Sequence, residues 1–197
     1  MRAEAVALGL ELRNGHAGNL HMTLPGADRA GKQVIVGSHL DSVPRGGNYD
    51  GAAEVVAGMA AISGMRRAGY VPARDVTVMV TRAEEGGAWF PGGYPGAKAA
   101  LGSMPAENLE DRRRDTGRTL AEHMRELGFD PDAVRAGRRA LGPDNVAAFL
   151  ELHIEQGPVL ETAEIPVAIV THLPGNRRHR DAVVRGEWNH SGVGVRT

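Results

Sequence analysis

The 197-residue chain contains no cysteine. That excludes disulfides, thiolate metal sites and a cysteine nucleophile together, and it fits a reducing, cytoplasmic setting. Aromatic residues make up only 4% of the chain, so any core must rest on Val, Leu, Ile, Ala and Met. A net charge of −1 supplies no electrostatic reason to expect nucleic acid or an acidic membrane as partner. No apolar run reaches membrane-spanning length, and Met1-Arg2-Ala3-Glu4 lacks a signal-peptide pattern. Gly46-Gly47 is followed by no Gly-Lys-Ser/Thr, so it is not a phosphate-cradling loop. What remains is ordinary: 42% hydrophobic and 24% charged residues exclude global disorder. The length suits one good-sized core, or one domain with part of another.

Against that background one stretch stands out, Gly37-Ser38-His39-Leu40-Asp41-Ser42-Val43 followed by Gly46-Gly47-Asn48-Tyr49-Asp50-Gly51. It follows the apolar run Val34-Ile35-Val36, which reads as a buried strand. A strand end that delivers His-x-Asp can place a metal-binding imidazole beside the group that orients it. His39 would bind through one ring nitrogen, while Asp41 holds the other nitrogen or the local backbone. Asp50 precedes an Ala/Val/Met-rich helix whose N-terminus would turn it back toward the strand ends. A second apolar run, Val76 to Val80, leads to Glu84-Glu85-Gly86, and a third, Ala147 to Ile154, contains His153 and leads to Glu155-Gln156-Gly157-Pro158. Paired glutamates usually face solvent, but strands converging on His, Asp and Glu are what an open α/β sheet presents at its ligand-binding edge. Oxygen and imidazole donors suit Zn²⁺, Mn²⁺, Co²⁺ or Ni²⁺. Of two adjacent glutamates, one can ligate while its neighbour moves a proton.

Periodicity and punctuation predict helices over Arg2–Leu10, Gly51–Arg67, Thr119–Leu127 and Pro158–Thr162. The second carries the apolar stripe Val55, Val56, Met59, Ile62 and Met65. Strands are predicted over Leu20–Leu24, Val34–Ser38, Asp75–Thr81, Ala147–Ile154, Val167–Thr171 and Ala182–Glu187. Pro91 to Gly96 reads as a mobile loop beside the site, and the mixed-sign run Glu110 to Asp115 as a solvated surface. His16, His21, His123, His172 and His179 read as surface residues. No internal repeat or low-complexity segment is evident.

The stretches GSHLDSVPRGGNYDG (37–51), AEEGGAWF (83–90), ELHIEQGPVLE (151–161) and GEWNHSG (186–192) together resemble the hydantoinase/carbamoylase branch of the M20 metallopeptidase-like amidohydrolases. That branch includes N-carbamoyl-L-amino-acid hydrolases, allantoate amidohydrolases and β-ureidopropionases. The motifs fall in the family's order across nearly the whole chain, and ELHIEQGP separates this branch from related M20 peptidases. The resemblance implies an α/β fold with a mixed open sheet flanked by helices. It places a catalytic domain over 1–172 and the first strands of a lid and dimerisation domain over 173–197. It implies two divalent metal ions, with His39 and His153 as ligands of the first, Asp50 bridging and Glu85 on the second. Glu84 would be the general base, with Asp41 supporting His39. Gln156 and His190 would contact substrate, the latter across a homodimer, and Arg177 or Arg178 opens the second domain.

The expected reaction is hydrolysis of a ureido or carbamoyl C–N bond in a small amino-acid derivative, by metal-activated water with Glu84 relaying the proton. Departures from the pattern matter as well. The distal histidine ligand and a late substrate-binding arginine have no counterpart, the tail after Gly192 differs, and the first helix begins late, so the chain reads as truncated at both ends. Glu54 stands where relatives often have a small residue, and Gly87-Ala88-Trp89 replaces a shorter Ala-Arg or Ser-Arg. The alternative readings are an M20-type dipeptidase or aminopeptidase, and an inactive remnant that only binds metal.

Overall fold

In the computed structural model, residues 1–173, 175 and 183 are described. The chain divides into two units, Met1–Gln156 and Gly157–Thr197. The first unit is built on a five-stranded mixed sheet in the order β1-β2-β4-β3-β5. Its strands are β1 (Glu11–Asn14), β2 (Leu20–Leu24), β3 (Gln33–His39), β4 (Val76–Thr81) and β5 (Val146–Leu150). β1–β2 and β2–β4 pair antiparallel, whereas β4–β3 and β3–β5 pair parallel. The α/β mixed sheet expected from the sequence is therefore what the chain forms.

The central strands are covered on both faces, which is why they read as unbroken apolar runs. Helix α2 (Ala52–Arg67) is the crossover that parallel pairing of β3 and β4 requires. Its residues Val55, Met59 and Ile62 join Ala5, Leu10, Met22, Leu24, Val76 and Val78 in one core cluster. Ile35 and Met79 pack on Ala100 and Leu141 in another. Val56, placed in the stripe by periodicity, is 51% exposed. One residue on from Val55 is about 100° around the helix, and the face set by 55, 59 and 62 leaves it in solvent. Aliphatic residues, Ala and Met supply nearly all of the core, with Phe90 its one buried aromatic among the described residues.

Helix α1 (Arg2–Ala7) is shorter than predicted. Gly9 takes φ 69°, with Gly9 N–H donating to Val6 O and Leu10 N–H to Ala5 O, the Schellman pattern that ends a helix at a left-handed glycine. The edge strand β1 escapes a pattern search because Glu-Leu-Arg-Asn is polar and largely exposed. The segment read as a loop over 91–96 ends in helix α3 (Pro95–Ala100), where Pro95 supplies the preset φ of a first helical position. Helix α4 (Leu120–Glu126) starts on a capping box between Thr119 and Glu122. Helix α5 (Pro131–Arg135), not foreseen, is capped by the Asp130 carboxylate. These helices close a further apolar cluster around Phe90, Met104, Leu109, Met124 and Val134.

Strand β5 stops at Leu150, short of the predicted Ile154. In the second unit a four-residue helix α6 (Val159–Thr162) follows Pro158. Residues 167–171 form no strand and are exposed. An apolar run becomes a strand only where a neighbour takes its backbone N–H and C=O groups, and among the described residues none pairs with this one. The strand expected over Ala182–Glu187 lies, Val183 apart, outside the described residues, as does His179. No helix among the described residues is long and apolar enough to cross a membrane.

His21 corrects the surface reading. It is 1% exposed on β2 and neither ring nitrogen has a hydrogen-bond partner. Burial, aided by the nearby Arg13 charge, pushes its pKa down from 6.5 to about 4. The folded state thus takes up this proton less readily than the unfolded chain. The His21 contribution to stability is complete above about pH 6.5 and is lost as pH falls toward 4, a change of roughly 3 kcal/mol. His21→Leu should flatten that part of the profile, so chemical denaturation at pH 7.5 and pH 4.5 should show a smaller stability difference for the variant than for the wild type.

Candidate metal centre

Parallel pairing of β3 with β4 brings His39 opposite Thr81, so both strands end at one level and their following loops meet. His39 is the last residue of β3 and is 3% exposed. After β4 the chain turns sharply at Ala83, a left-handed residue with φ 54° and ψ 47°. For a residue with a Cβ that conformation costs about 1–2 kcal/mol. The turn starts the 3-10 segment Glu84–Ala88 and sends Glu84 and Glu85 back toward β3.

Asp41 anchors the meeting. Its backbone carbonyl lies 2.8 Å from His39 Nδ1. Its carboxylate accepts the backbone N–H groups of Glu84 at 3.2 Å and Glu85 at 3.0 Å. From the sequence Asp41 was expected to hold the imidazole or the local backbone. In the structure its own carbonyl meets the imidazole, while its carboxylate takes the amides of a loop 43–44 residues away.

With Nδ1 engaged, His39 Nε2 faces carboxylates. Asp50 Oδ1 is 3.3 Å away and Glu84 Oε2 3.7 Å. Two ligands about 2.1 Å from a tetrahedral ion lie roughly 3.4 Å apart, so these separations match donors that share a cation. His39, Glu84 and Glu85 form a group whose potential ligand atoms all lie within 4.8 Å of one another. The donor set therefore fits a divalent ion of the borderline or hard kind.

Asp50 stands just before helix α2, and Gly51 explains how it comes so close. Gly51 has φ 73°, and a Cβ there would sit 2.6 Å from the His39 ring and carbonyl. Only glycine permits both the conformation and the approach.

Electrostatics around the imidazole oppose one another. Burial is the largest single influence on His39 and lowers its pKa. The hydrogen bond to the Asp41 carbonyl and the charges of Glu84, Asp41 and Asp50 together outweigh it and leave the pKa raised. Glu84 is raised as well, first by burial and then by Glu85, Asp41 and Glu151, against the lowering effect of His39. A carboxyl moved upward in this way is better suited to take and return a proton near neutrality. Glu84 also lines a cavity of about 650 Å³ together with Ser38, Thr81, Tyr94, Phe149 and Glu151.

Other predicted residues are placed less centrally. His153 lies beyond the end of β5, exposed, with Nδ1 2.6 Å from the Ile154 carbonyl, and it falls outside the His39–Glu84–Glu85 group. Gln156 adopts a left-handed φ of 56° and donates from Nε2 to Asp50 Oδ2. His190, Arg177 and Arg178 lie outside the described residues. Two contributors were given no site role from the sequence, Asn19 unnoticed and Glu54 noted only as a departure from relatives. Buried Asn19 accepts the Arg82 N–H at 2.9 Å and donates to Gly96 O at 2.9 Å, tying the turn after β4 to the start of α3. Glu54 is 1% exposed and accepts the Ile154 N–H at 2.7 Å. A lone Asn beside Gly18 carries no pattern, whereas Glu54 carried one signal, an acid in an otherwise apolar helix.

The fold and site thus define a mixed-sheet α/β protein with an imidazole–carboxylate centre at the ends of its parallel strands. The chain belongs to peptidase family M20/M25/M40, whose model matches residues 35–196. It is 43% identical over 167 residues to an N-carbamoyl-L-amino acid amidohydrolase of Geobacillus stearothermophilus, covering 85% of this chain and 40% of that protein. It is 33% identical over 193 residues to an allantoate amidohydrolase of Bacillus subtilis (strain 168), covering 98% and 45%. The crystal structure of a hydantoinase/carbamoylase family amidase from Burkholderia ambifaria superposes with a TM-score of 0.72 at 32% identity, over 82% of this chain and 38% of that one. The chain spans less than half the length of these curated relatives.

Asp41→Ala should leave the Glu84 and Glu85 amides without their acceptor and weaken metal affinity about 10–100-fold. Competition of Zn²⁺ between the protein and a chelating indicator reads this directly. An unchanged affinity would remove Asp41 from its supporting role.

Proposed function

We propose that this chain carries the catalytic centre of a metal-dependent amidohydrolase acting on the linear C–N bond of an N-carbamoyl-L-amino acid or a related ureido acid such as allantoate. The observation that carries the proposal is the position of Glu84. It is held by Asp41 beside His39 and Glu85, with its pKa raised, at the wall of a cavity. The relatives' names supply the substrate class.

In this reading His39, Asp50, Glu85 and His153 hold two divalent ions, with Zn²⁺, Mn²⁺, Co²⁺ and Ni²⁺ all compatible with the donors. Such ions supply an electrophile for the carbamoyl oxygen and acidify water. Glu84 takes a proton from the attacking water and returns it to the nitrogen that leaves. Asp41 keeps Glu84 and Glu85 aimed by holding their amides. Gln156 and His190 contact the substrate, with His190 acting across a homodimer. Water is consumed, the C–N bond breaks, and a carbamoyl amino acid yields the free amino acid, ammonia and carbon dioxide. A catalytic domain over 1–172, a lid and dimerisation domain opening at 173, and a cytoplasmic location belong to the same proposal.

The test is a panel of N-carbamoyl-L-amino acids, allantoate and dipeptides, run with Mn²⁺ or Zn²⁺ and with Glu84→Gln beside the wild type. Ureido acids should be hydrolysed, and the variant should lose at least about 10²-fold in rate while keeping its metal. Turnover of dipeptides alone would instead favour an M20-type peptidase. Full activity in the variant would remove Glu84 from the proton relay.

A further inference from the structure

Glu54 is the third residue of helix α2, four positions after Asp50, which precedes the helix, and its carboxyl is buried. Oε1 accepts the backbone N–H of Ile154, a residue 100 positions away, at 2.7 Å. Oε2 is buried with no partner. Burying a carboxyl in this way is costly, and an aliphatic side chain would fill the same space without that cost. The group needs a compensating use, and the segment it holds suggests one.

Residues 151–156 run on from β5 outside the sheet ladder, and all but Ile154 are exposed. They include His153. Two side chains at the head of α2 attach this segment. Glu54 receives Ile154 N–H, and Asp50 receives the Gln156 side-chain amide.

We propose that Glu54 is a positioning residue: its bond to Ile154, with that of Asp50 to Gln156, clamps the 151–156 segment to the head of α2 and so sets where His153 stands relative to His39 and Asp50. The consequence for metal binding rests on the ligand role proposed above for His153. The clamp itself does not.

The test separates the two. Amide hydrogen exchange by NMR should find Ile154 protected in the wild type and in Glu54→Gln, which keeps an accepting oxygen. Exchange at Ile154 should be at least tenfold faster in Glu54→Met, which keeps the volume and loses the acceptor. Mn²⁺ titration of the same samples should show affinity falling at least tenfold in Glu54→Met and less than threefold in Glu54→Gln. Ile154 exchanging at the free-peptide rate in the wild type would overturn the clamp, a result that needs no variant to fold. Unchanged Mn²⁺ affinity in a folded Glu54→Met protein would overturn its bearing on the site. If the wild type binds no Mn²⁺, the metal reading fails by itself, and the exchange rates still decide the clamp.

Discussion

Asp41 is the residue on which the arrangement turns. Its carbonyl fixes one nitrogen of His39, and its carboxylate fixes the backbone that bears Glu84 and Glu85. A carboxylate that receives two amide N–H groups is a strong and directional acceptor, and here those amides belong to a loop 43–44 residues away. These two bonds, with the Asn19 bond to the Arg82 N–H, offset the cost of the strained left-handed turn at Ala83. The register of β3 against β4 makes the contact possible by ending both strands together.

Around this anchor the carboxylates crowd onto one imidazole. Asp50 and Glu84 both face His39 Nε2, and Glu85 lies in the same group. Like charges so placed repel one another. Against the lowering effect of burial, the Asp41 carbonyl and the charges of Glu84, Asp41 and Asp50 raise the His39 pKa, while burial first and then Glu85 and Asp41 raise that of Glu84. A divalent cation would relieve the repulsion, and the donor spacing suits one.

Much of this was legible in the sequence, for identifiable reasons. Buried parallel strands advertise themselves as apolar runs, so β3 and β4 were found nearly to the residue, and the motifs at their ends named His39, Asp41, Asp50, Glu84 and Glu85 before any geometry. The early end of α1 at Gly9 and the Asp130 cap of α5 are local signals passed over, but other misses depend on tertiary partners that leave no local pattern. Val56 and Val55 look alike until the sheet chooses a face. His21 looks polar until β1 and β4 enclose it. The run 167–171 looks like a strand but has no ladder among the described residues. Asn19, through two long-range hydrogen bonds, and Glu54, through one, act in a way that no spacing rule reveals.

The central claim is that His39 and its neighbouring carboxylates form one cation site. The most direct measurement is X-ray absorption at the zinc edge on the Zn²⁺-loaded protein and on His39→Ala. The account predicts a nitrogen and oxygen shell at roughly 2.0–2.2 Å, with imidazole scattering that weakens in the variant. Identical spectra from the two proteins would mean that the ion is bound elsewhere, and would contradict the account.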